Sequence, residues 1–431
     1  MSSQQNQKIG LLGSTSMVVG NMVASGIFLL PASLAVYGAV GILGWICASI
    51  GAIFLSLLFA ELNNYAPSSI GGPYVFSRLG FGDFIGFLVA WGYWIAIWAT
   101  NAAIAVALVG YLKVFIPFLD QSPIYEVGAG LFFLWFFTWI NAKPVKTIAS
   151  VQIITTILKI IPIFLIGIIG IFFMNWDHFT PFNPSGVSTF SAVTSAATLT
   201  LFAFLGLESA SIVSGDTENA ESTVKKATIY GTLVTIVIYV LTAIAILGLV
   251  PPDVLAKSDA PFAAAAEQFL GPTARYVIAG CAVIATMGAL NGWILMQGRI
   301  PMAAAHDKLF LPLFAVENKH GSPIKGIIVS SVLASILMVF SFSDSLVEAY
   351  TFMILISTLS TIVPYLFSTG SLAILSLQEG GTLFNKKVFI SIGAFIFCLW
   401  LLIGCGADIV FYGFILLVLG IPIYVYLKRM Q

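Results

Sequence analysis

The sequence predicts an all-α integral membrane protein with twelve spanning helices. Three observations carry that expectation. Of 431 residues, 59% are apolar and only 8% charged, against roughly 25% charged in a soluble domain. The apolar residues fall in runs of about 20, the length that crosses a hydrocarbon layer roughly 30 Å thick. The basic residues collect in alternate connections between those runs. So little charge cannot cover a soluble surface of this size, which excludes a soluble enzyme and a disordered chain. With 18 basic and 18 acidic residues, the zero net charge offers no attraction to nucleic acid.

In chain order the runs lie near 11–37, 41–64, 84–115, 126–140, 148–174, 193–213, 226–250, 273–303, 324–342, 346–376, 388–404 and 407–427. A closed β-barrel would instead show alternating segments of about ten residues. Met1 to Gln7 lacks the basic region of a signal peptide, so the first run is expected to stay in the mature chain. With both termini cytoplasmic, fourteen of the 18 Lys and Arg residues fall on the cytoplasmic side, from Lys8 and Arg78 to Lys428 and Arg429. Lys113, Lys257 and Arg275 fall opposite, and Lys159 alone sits mid-span. An error of one helix would scramble this asymmetry.

The four cysteines, Cys47, Cys281, Cys398 and Cys405, lie in apolar segments and read as small core residues. His178, His306 and His320 occupy separate connections, so neither a metal nor a cofactor is expected. There is no phosphate-binding Gly-x-x-x-x-Gly-Lys-Ser/Thr loop.

Channels, carriers and membrane enzymes share these features. They differ in where backbone leaves the helix, which is tolerated at membrane depth only around a cavity. Span 1 carries Gly20-Asn21-Met22-Val23-Ala24-Ser25-Gly26-Ile27, followed by Pro31. Span 6 carries Phe202-Ala203-Phe204-Leu205-Gly206-Leu207-Glu208-Ser209-Ala210-Ser211. Interrupted helices at matching places in two five-helix halves point to a carrier site. A broken helix offers free N–H groups to a carboxylate and free carbonyls to an ammonium, the two charged groups of an amino acid. Close helix packing through small residues is the alternative reading of the same glycines.

Further along the chain stand Ser25-Gly26-Ile27-Phe28-Leu29-Leu30-Pro31, Gly71-Gly72-Pro73-Tyr74 before Phe81-Gly82, Gly92-Tyr93-Trp94, Gly292-Trp293 and Asn318-Lys319-His320-Gly321-Ser322-Pro323. Together with the span 6 segment, in this order and over nearly the whole length, they resemble the amino acid–polyamine–organocation (APC) superfamily. The resemblance is nearest to bacterial basic amino acid/polyamine antiporters, including arginine/agmatine antiporters.

That resemblance implies a LeuT-like (APC) fold with broken helices 1 and 6. Its inverted five-plus-five repeat would occupy about 11–174 and 193–376, with appended helices at about 388–427. It implies that N–H groups of Ala24, Ser25 and Gly26 meet the substrate carboxylate. Carbonyls of Met22 and of span 6 around Phe202, Ala203 and Leu205 would meet the ammonium, with the Phe202 ring as lid. Tyr93, Asn101, Trp293, Ser357 and Tyr365 fall where such relatives have side-chain contacts or gates. Lys159, in a span where some proton-coupled members carry lysine, is the candidate for coupling, and Glu208 the candidate for gating and pH response.

Each residue also has a plainer reading. Lys159 could be a permanent cation joining spans through their carbonyls, and Glu208 a hydrogen-bonded carboxylate that does not titrate. Asn21 and Asn101 could serve as structural hydrogen-bonding groups. Aromatics make up 13% of the chain, so packing is the ordinary role for any one of them. Trp91, Trp94 and Trp98 recur at helical spacing and read as packing, and Glu61 as interfacial. Two departures weaken an arginine-specific reading: Phe202 stands where arginine/agmatine antiporters have tryptophan, and those antiporters lack the span 5 lysine. The loop from Thr217 to Lys225 also replaces their Asn-Pro…Arg pattern.

The expected function is secondary active amino acid transport by alternating access, proton-coupled or exchanging, with no enzymatic activity. The alternative is an arginine/agmatine- or ornithine/putrescine-type antiporter, and a channel is a remote third. The expected partners are an amino acid or polyamine, protons and the lipid bilayer, with a homodimer as the candidate assembly and a bacterial inner membrane as the location.

Overall fold

A computed structural model of the chain describes residues 9–23, 25–67, 71–143, 162–212, 214, 217–319, 321–341 and 345–430. Among these, 11 helices are long and apolar enough to cross a membrane. In order the elements are α1 (Leu11–Met22), α2 (Ser25–Ala35), α3 (Val40–Leu62), α4 (Pro73–Phe81), α5 (Asp83–Leu112) and α6 (Pro123–Ile140). A short apolar helix, α7 (Pro162–Phe173), is the described part of the run expected near 148–174. Then follow α8 (Thr189–Phe204), α9 (Ser209–Ile212), α10 (Ala220–Leu249), α11 (Pro252–Leu255), α12 (Pro261–Leu270) and α13 (Pro272–His306). The chain ends with α14 (Ile324–Ser341), α15 (Leu346–Gln378), α16 (Lys386–Gly404), α17 (Ala407–Val418) and α18 (Gly420–Met430).

Pairs α1–α2 and α8–α9 are the two spans expected to be interrupted, and α17–α18 together make the last span, so the twelve-span reading and both expected breaks agree with the structure. Hydrophobic runs alone did not reveal α4 and α12. Both are short helices lying between spans, each opened by a proline at its first position, where the missing N–H has no helical partner to lose. Span starts use the same local chemistry. Ser122 accepts a hydrogen bond from the Ile124 N–H and Ser345 from the Glu348 N–H, which caps α6 and α15.

Helix α5 is the centre of the bundle, buried along most of its length. Its C-terminal end forms a junction. A Cβ on Gly110 would come within 2.3 Å of the Asp259 carbonyl, so this contact needs glycine. The Tyr111 hydroxyl donates to the Phe28 carbonyl at 2.6 Å and accepts from the Phe262 N–H at 3.3 Å, joining α2, α5 and α12. Beyond it Lys113 pairs with Asp120, Glu126 and Asp259. Burial opposes the Lys113 charge, but the hydrogen bonds it donates to Asp120, Asp259 and Glu126 outweigh it and hold the ammonium above its ordinary range.

Lys113→Met would leave three neighbouring carboxylates without their cation. The expected result is a lower melting temperature in detergent, because removing one partner leaves like charges facing one another without compensation. An unchanged melting profile would contradict the junction.

The ion pairs keep to the two expected groups of basic residues. Lys113, Lys257 and Arg275 line one cleft of about 780 Å³. From the other group, Arg78 joins Asp83 and Asp307, Lys428 joins Asp83, and Lys225 joins Glu61. No described ion pair links one group to the other.

Candidate functional site

The two breaks lie against each other. Helix α1 ends at Met22, and α2 restarts at Ser25 with a first turn whose N–H groups lack partners within the helix. Helix α8 ends at Phe204, Leu205 is extended, and Gly206 turns the chain with φ +99°. A Cβ on Gly26 would lie 3.1 Å from both the Ala203 Cα and the Phe202 ring. A Cβ on Gly206 would lie 3.1 Å from the Asn21 Cβ. Glycine at both positions suits this close approach, since a Cβ there would press on its neighbour, and Gly206 also needs a positive φ that costs other residues energy.

Three buried tyrosines occupy carbonyls around the breaks. The Tyr239 hydroxyl donates to the Met22 carbonyl at 2.5 Å and lies 3.2 Å from the Ala203 carbonyl. The Tyr350 hydroxyl donates to the Gly26 carbonyl at 3.2 Å. Tyr111 takes the Phe28 carbonyl described above. The Phe202 ring stands edge-on to Tyr350 with centroids 6.2 Å apart. Sequence reasoning missed Tyr239 and Tyr350. The available signal was a hydroxyl in the middle of an apolar run, which must find a partner there.

On the far side of the span 6 break, Glu208 is fully buried. Tyr93 donates to its Oε1 and Tyr365 to its Oε2, the latter at 2.7 Å. Three residues named separately from the sequence thus form one cluster joining α5, the span 6 break and α15. Ser211 anchors the same turn, its hydroxyl donating to the Glu208 carbonyl at 2.6 Å.

The remaining candidates are placed as follows. Asn101 on α5 donates through Nδ2 to Gln297 Oε1 at 2.7 Å, while Asn101 Oδ1 has no hydrogen-bond partner. Trp293 is buried one turn before Gln297, and its indole N–H is also unpartnered. Ser357 bonds Thr100 at 2.7 Å and the Ala96 carbonyl at 3.0 Å, so its hydroxyl is engaged in α5–α15 packing. Trp91 and Trp94 pack with Phe310, their indoles donating to the Leu416 carbonyl and the Ser330 hydroxyl. Glu61 pairs with Lys225. Ala24 and Lys159 lie outside the described residues.

A cavity of about 800 Å³ leads toward this region from the Lys113 end. Its walls include Ala32 and Ser33 of α2, Leu199 of α8 and Thr351 of α15. Its rim carries Asp120, Glu126, Asp259 and Glu348 against Lys113 and Lys257, an excess of carboxylates.

Residues 9–422 match the family described as amino acid permease. The chain is 30% identical over 428 residues to the putrescine transporter PotE of Haemophilus influenzae, covering 98% of this chain and 97% of that protein. It is 30% identical over 426 residues to the arginine/ornithine antiporter of Pseudomonas aeruginosa, covering 94% and 88%. With the cadaverine/lysine antiporter of Escherichia coli it shares 29% identity over 368 residues, covering 84% and 82%.

Proposed function

Since this chain belongs to the amino acid permease family, we propose that it is a secondary active amino acid transporter that works by alternating access and exchanges one solute for another. Its relatives in the comparison are transporters and antiporters, not enzymes. The observation that carries the proposal is the contact between the two helix breaks. The free N–H groups of α2 suit a carboxylate, and the Met22 and Ala203 carbonyls suit an ammonium. Both polar groups of an amino acid can therefore be held away from water without a charged side chain at that point.

The conformation supports one half of such a cycle. The cavity reaches α2 and α8 from the Lys113 end, while Tyr93, Glu208 and Tyr365 close the opposite side of the break. The distribution of basic residues supports the Lys113 end as the outside, with both termini in the cytoplasm of a bacterial cell. The chain is proposed to divide into halves at about 11–174 and 193–376, each beginning with a broken helix, with two spans appended. Lys159 is the proposed coupling residue. Proton-driven uptake unchanged in Lys159→Ala would remove that role.

A second reading, exchange of a basic amino acid for a polyamine, is favoured by the carboxylate excess at the cavity rim. Thermal-shift screening of the purified chain against amino acids and polyamines separates the two, because stabilisation grows with ligand concentration over Kd. Stabilisation by amino acids supports the first reading, and stabilisation by polyamines alone would overturn it.

Tyr239→Phe supplies a further test. It leaves the Met22 carbonyl buried without a donor, at a cost of about 1–3 kcal/mol. The melting temperature of the empty protein should fall. Saturating substrate should narrow the deficit, since an ammonium then takes that carbonyl. A deficit unaffected by substrate would place the ammonium elsewhere.

A further inference from the structure

The connection between α15 and α16 carries a built apolar tip. Its backbone is tied down at every step. The Gly381 N–H donates to the Ser376 carbonyl at 3.1 Å, and Asn385 Nδ2 to Ser376 Oγ at 3.3 Å. The Asn385 N–H closes a tight turn on the Thr382 carbonyl at 3.0 Å. Asn385 Oδ1 then caps α16 by accepting from the Lys387 N–H. Side chains brace the base. Lys387 Nζ donates to Glu379 at 3.0 Å and to the Tyr65 hydroxyl at 2.9 Å. Tyr65 in turn donates to Glu379 at 2.7 Å, which fastens the connection to the residues following α3.

The two central residues of the turn are Leu383 and Phe384. Such positions ordinarily hold Gly, Pro, Asn, Asp or Ser. Here the protein leaves two large apolar side chains open, Leu383 at 71% exposure and Phe384 at 100%. A lone exposed apolar residue needs no explanation, but an adjacent pair fixed at the tip of a braced turn does.

Helix α16 shows what surrounds that tip. Its 19 residues rise about 28 Å, close to the ~30 Å hydrocarbon layer, so its first residue, Lys386, stands at the edge of that layer. One turn on, Phe389 begins a stripe of exposed apolar residues, Ile392, Ile396, Leu399 and Ile403, at the three- and four-residue spacing of one helix face. That face looks onto acyl chains, and the tip lies just beyond its start. The charge fits as well. Lys387 is matched by Glu379, which leaves exposed Lys386 as the net positive charge beside the tip.

We propose that the 382–385 turn is a membrane anchor. Leu383 and Phe384 enter the acyl region of the adjoining leaflet, and Lys386 pairs with the phosphate of an anionic phospholipid. The proposed orientation puts this turn on the cytoplasmic leaflet, whose negative lipids attract such a lysine. The anchor holds the ends of α3, α15 and α16 at one depth, and it does not depend on which solute is carried.

The test places a fluorophore on Phe384→Cys in the full chain, with the four native cysteines replaced by alanine, in nanodiscs holding one copy each. Lipids bearing a nitroxide just below the headgroup should quench it. Spin-labelled phosphatidylglycerol should quench about fivefold more effectively than spin-labelled phosphatidylcholine at equal mole fraction. Lys386→Glu should erase that preference while quenching by phosphatidylcholine persists, a split that misfolding does not produce. An unquenched fluorophore would overturn the anchor and leave the tip for a soluble partner or a second copy, neither of which such a nanodisc contains. Equal quenching by the two lipids before Lys386 is changed, or a preference that survives Lys386→Glu, would overturn the headgroup pairing. A second measurement needs no variant. The unaltered chain in detergent should melt higher with added phosphatidylglycerol than with phosphatidylcholine, and equal melting would overturn that pairing too.

Discussion

Glu208→Ala should lower the rate of solute exchange about a hundredfold. The side chain is fully buried, and both carboxylate oxygens are taken by tyrosine hydroxyls from different helices, Tyr93 on α5 and Tyr365 on α15. Hydrogen bonds to a charged group are worth about 1.5–3 kcal/mol each. Losing the pair weakens the closed arrangement by at least ~3 kcal/mol, a factor of about a hundred in its population. A carrier that cannot populate one closed state stops cycling even if it binds solute normally. Glu208→Gln should fall between, near a tenfold loss. Its oxygen still accepts from one tyrosine, but its NH2 group faces the other hydroxyl, which must turn. The comparison is made on initial rates per inserted protein. A Glu208→Ala rate near wild type would remove the carboxylate from the gate.

Gly206→Val should weaken binding, not merely slow exchange. Gly206 has φ +99°, a region closed to β-branched residues. Its added carbons would also meet the backbone and Cβ of Asn21 at 3.1–3.3 Å. Backbone strain of about 1–3 kcal/mol adds to the cost of parting the two breaks. The strain falls on the contact that aligns free N–H groups with free carbonyls. The expected readout is loss of ligand-induced thermal stabilisation, with at least tenfold weaker apparent affinity. Gly280→Ala is the control, because its Cβ would meet only the Phe115 ring edge at 3.6 Å. It should bind like the wild type and melt no lower, since alanine suits a helix interior better than glycine. Undiminished binding in Gly206→Val would contradict the site.

The sequence revealed the spans and their breaks because the bilayer imposes a strong constraint. A run must be long and apolar to cross, and a glycine beside polar residues at mid-span is conspicuous against that background. Gly26 and Gly206 were found this way, and the structure puts both at the close approach. Glu208 stood out as a mid-span acid. Its link to Tyr93 and Tyr365 was not legible, since residues more than a hundred positions apart share no local pattern.

What stayed hidden has equally physical causes. Tyr239 and Tyr350 are aromatic residues in a chain that is 13% aromatic, and only their hydroxyl partners set them apart. Helices α4 and α12 escaped because they do not cross the membrane and so need no long apolar run. Lys113 was counted for topology alone, while its three carboxylate partners come from separate connections and span ends.

Counterflow in proteoliposomes tests the central claim most directly. Vesicles holding the purified chain are loaded with an unlabelled amino acid that stabilises it, then given a trace of the labelled form outside. A carrier that exchanges across two facing helix breaks should take up label faster and to a higher transient level than in unloaded vesicles. Glu208→Ala should lose nearly all of that acceleration. Uptake that ignores the internal amino acid, or that is as fast in vesicles without the protein, would contradict transport by this chain.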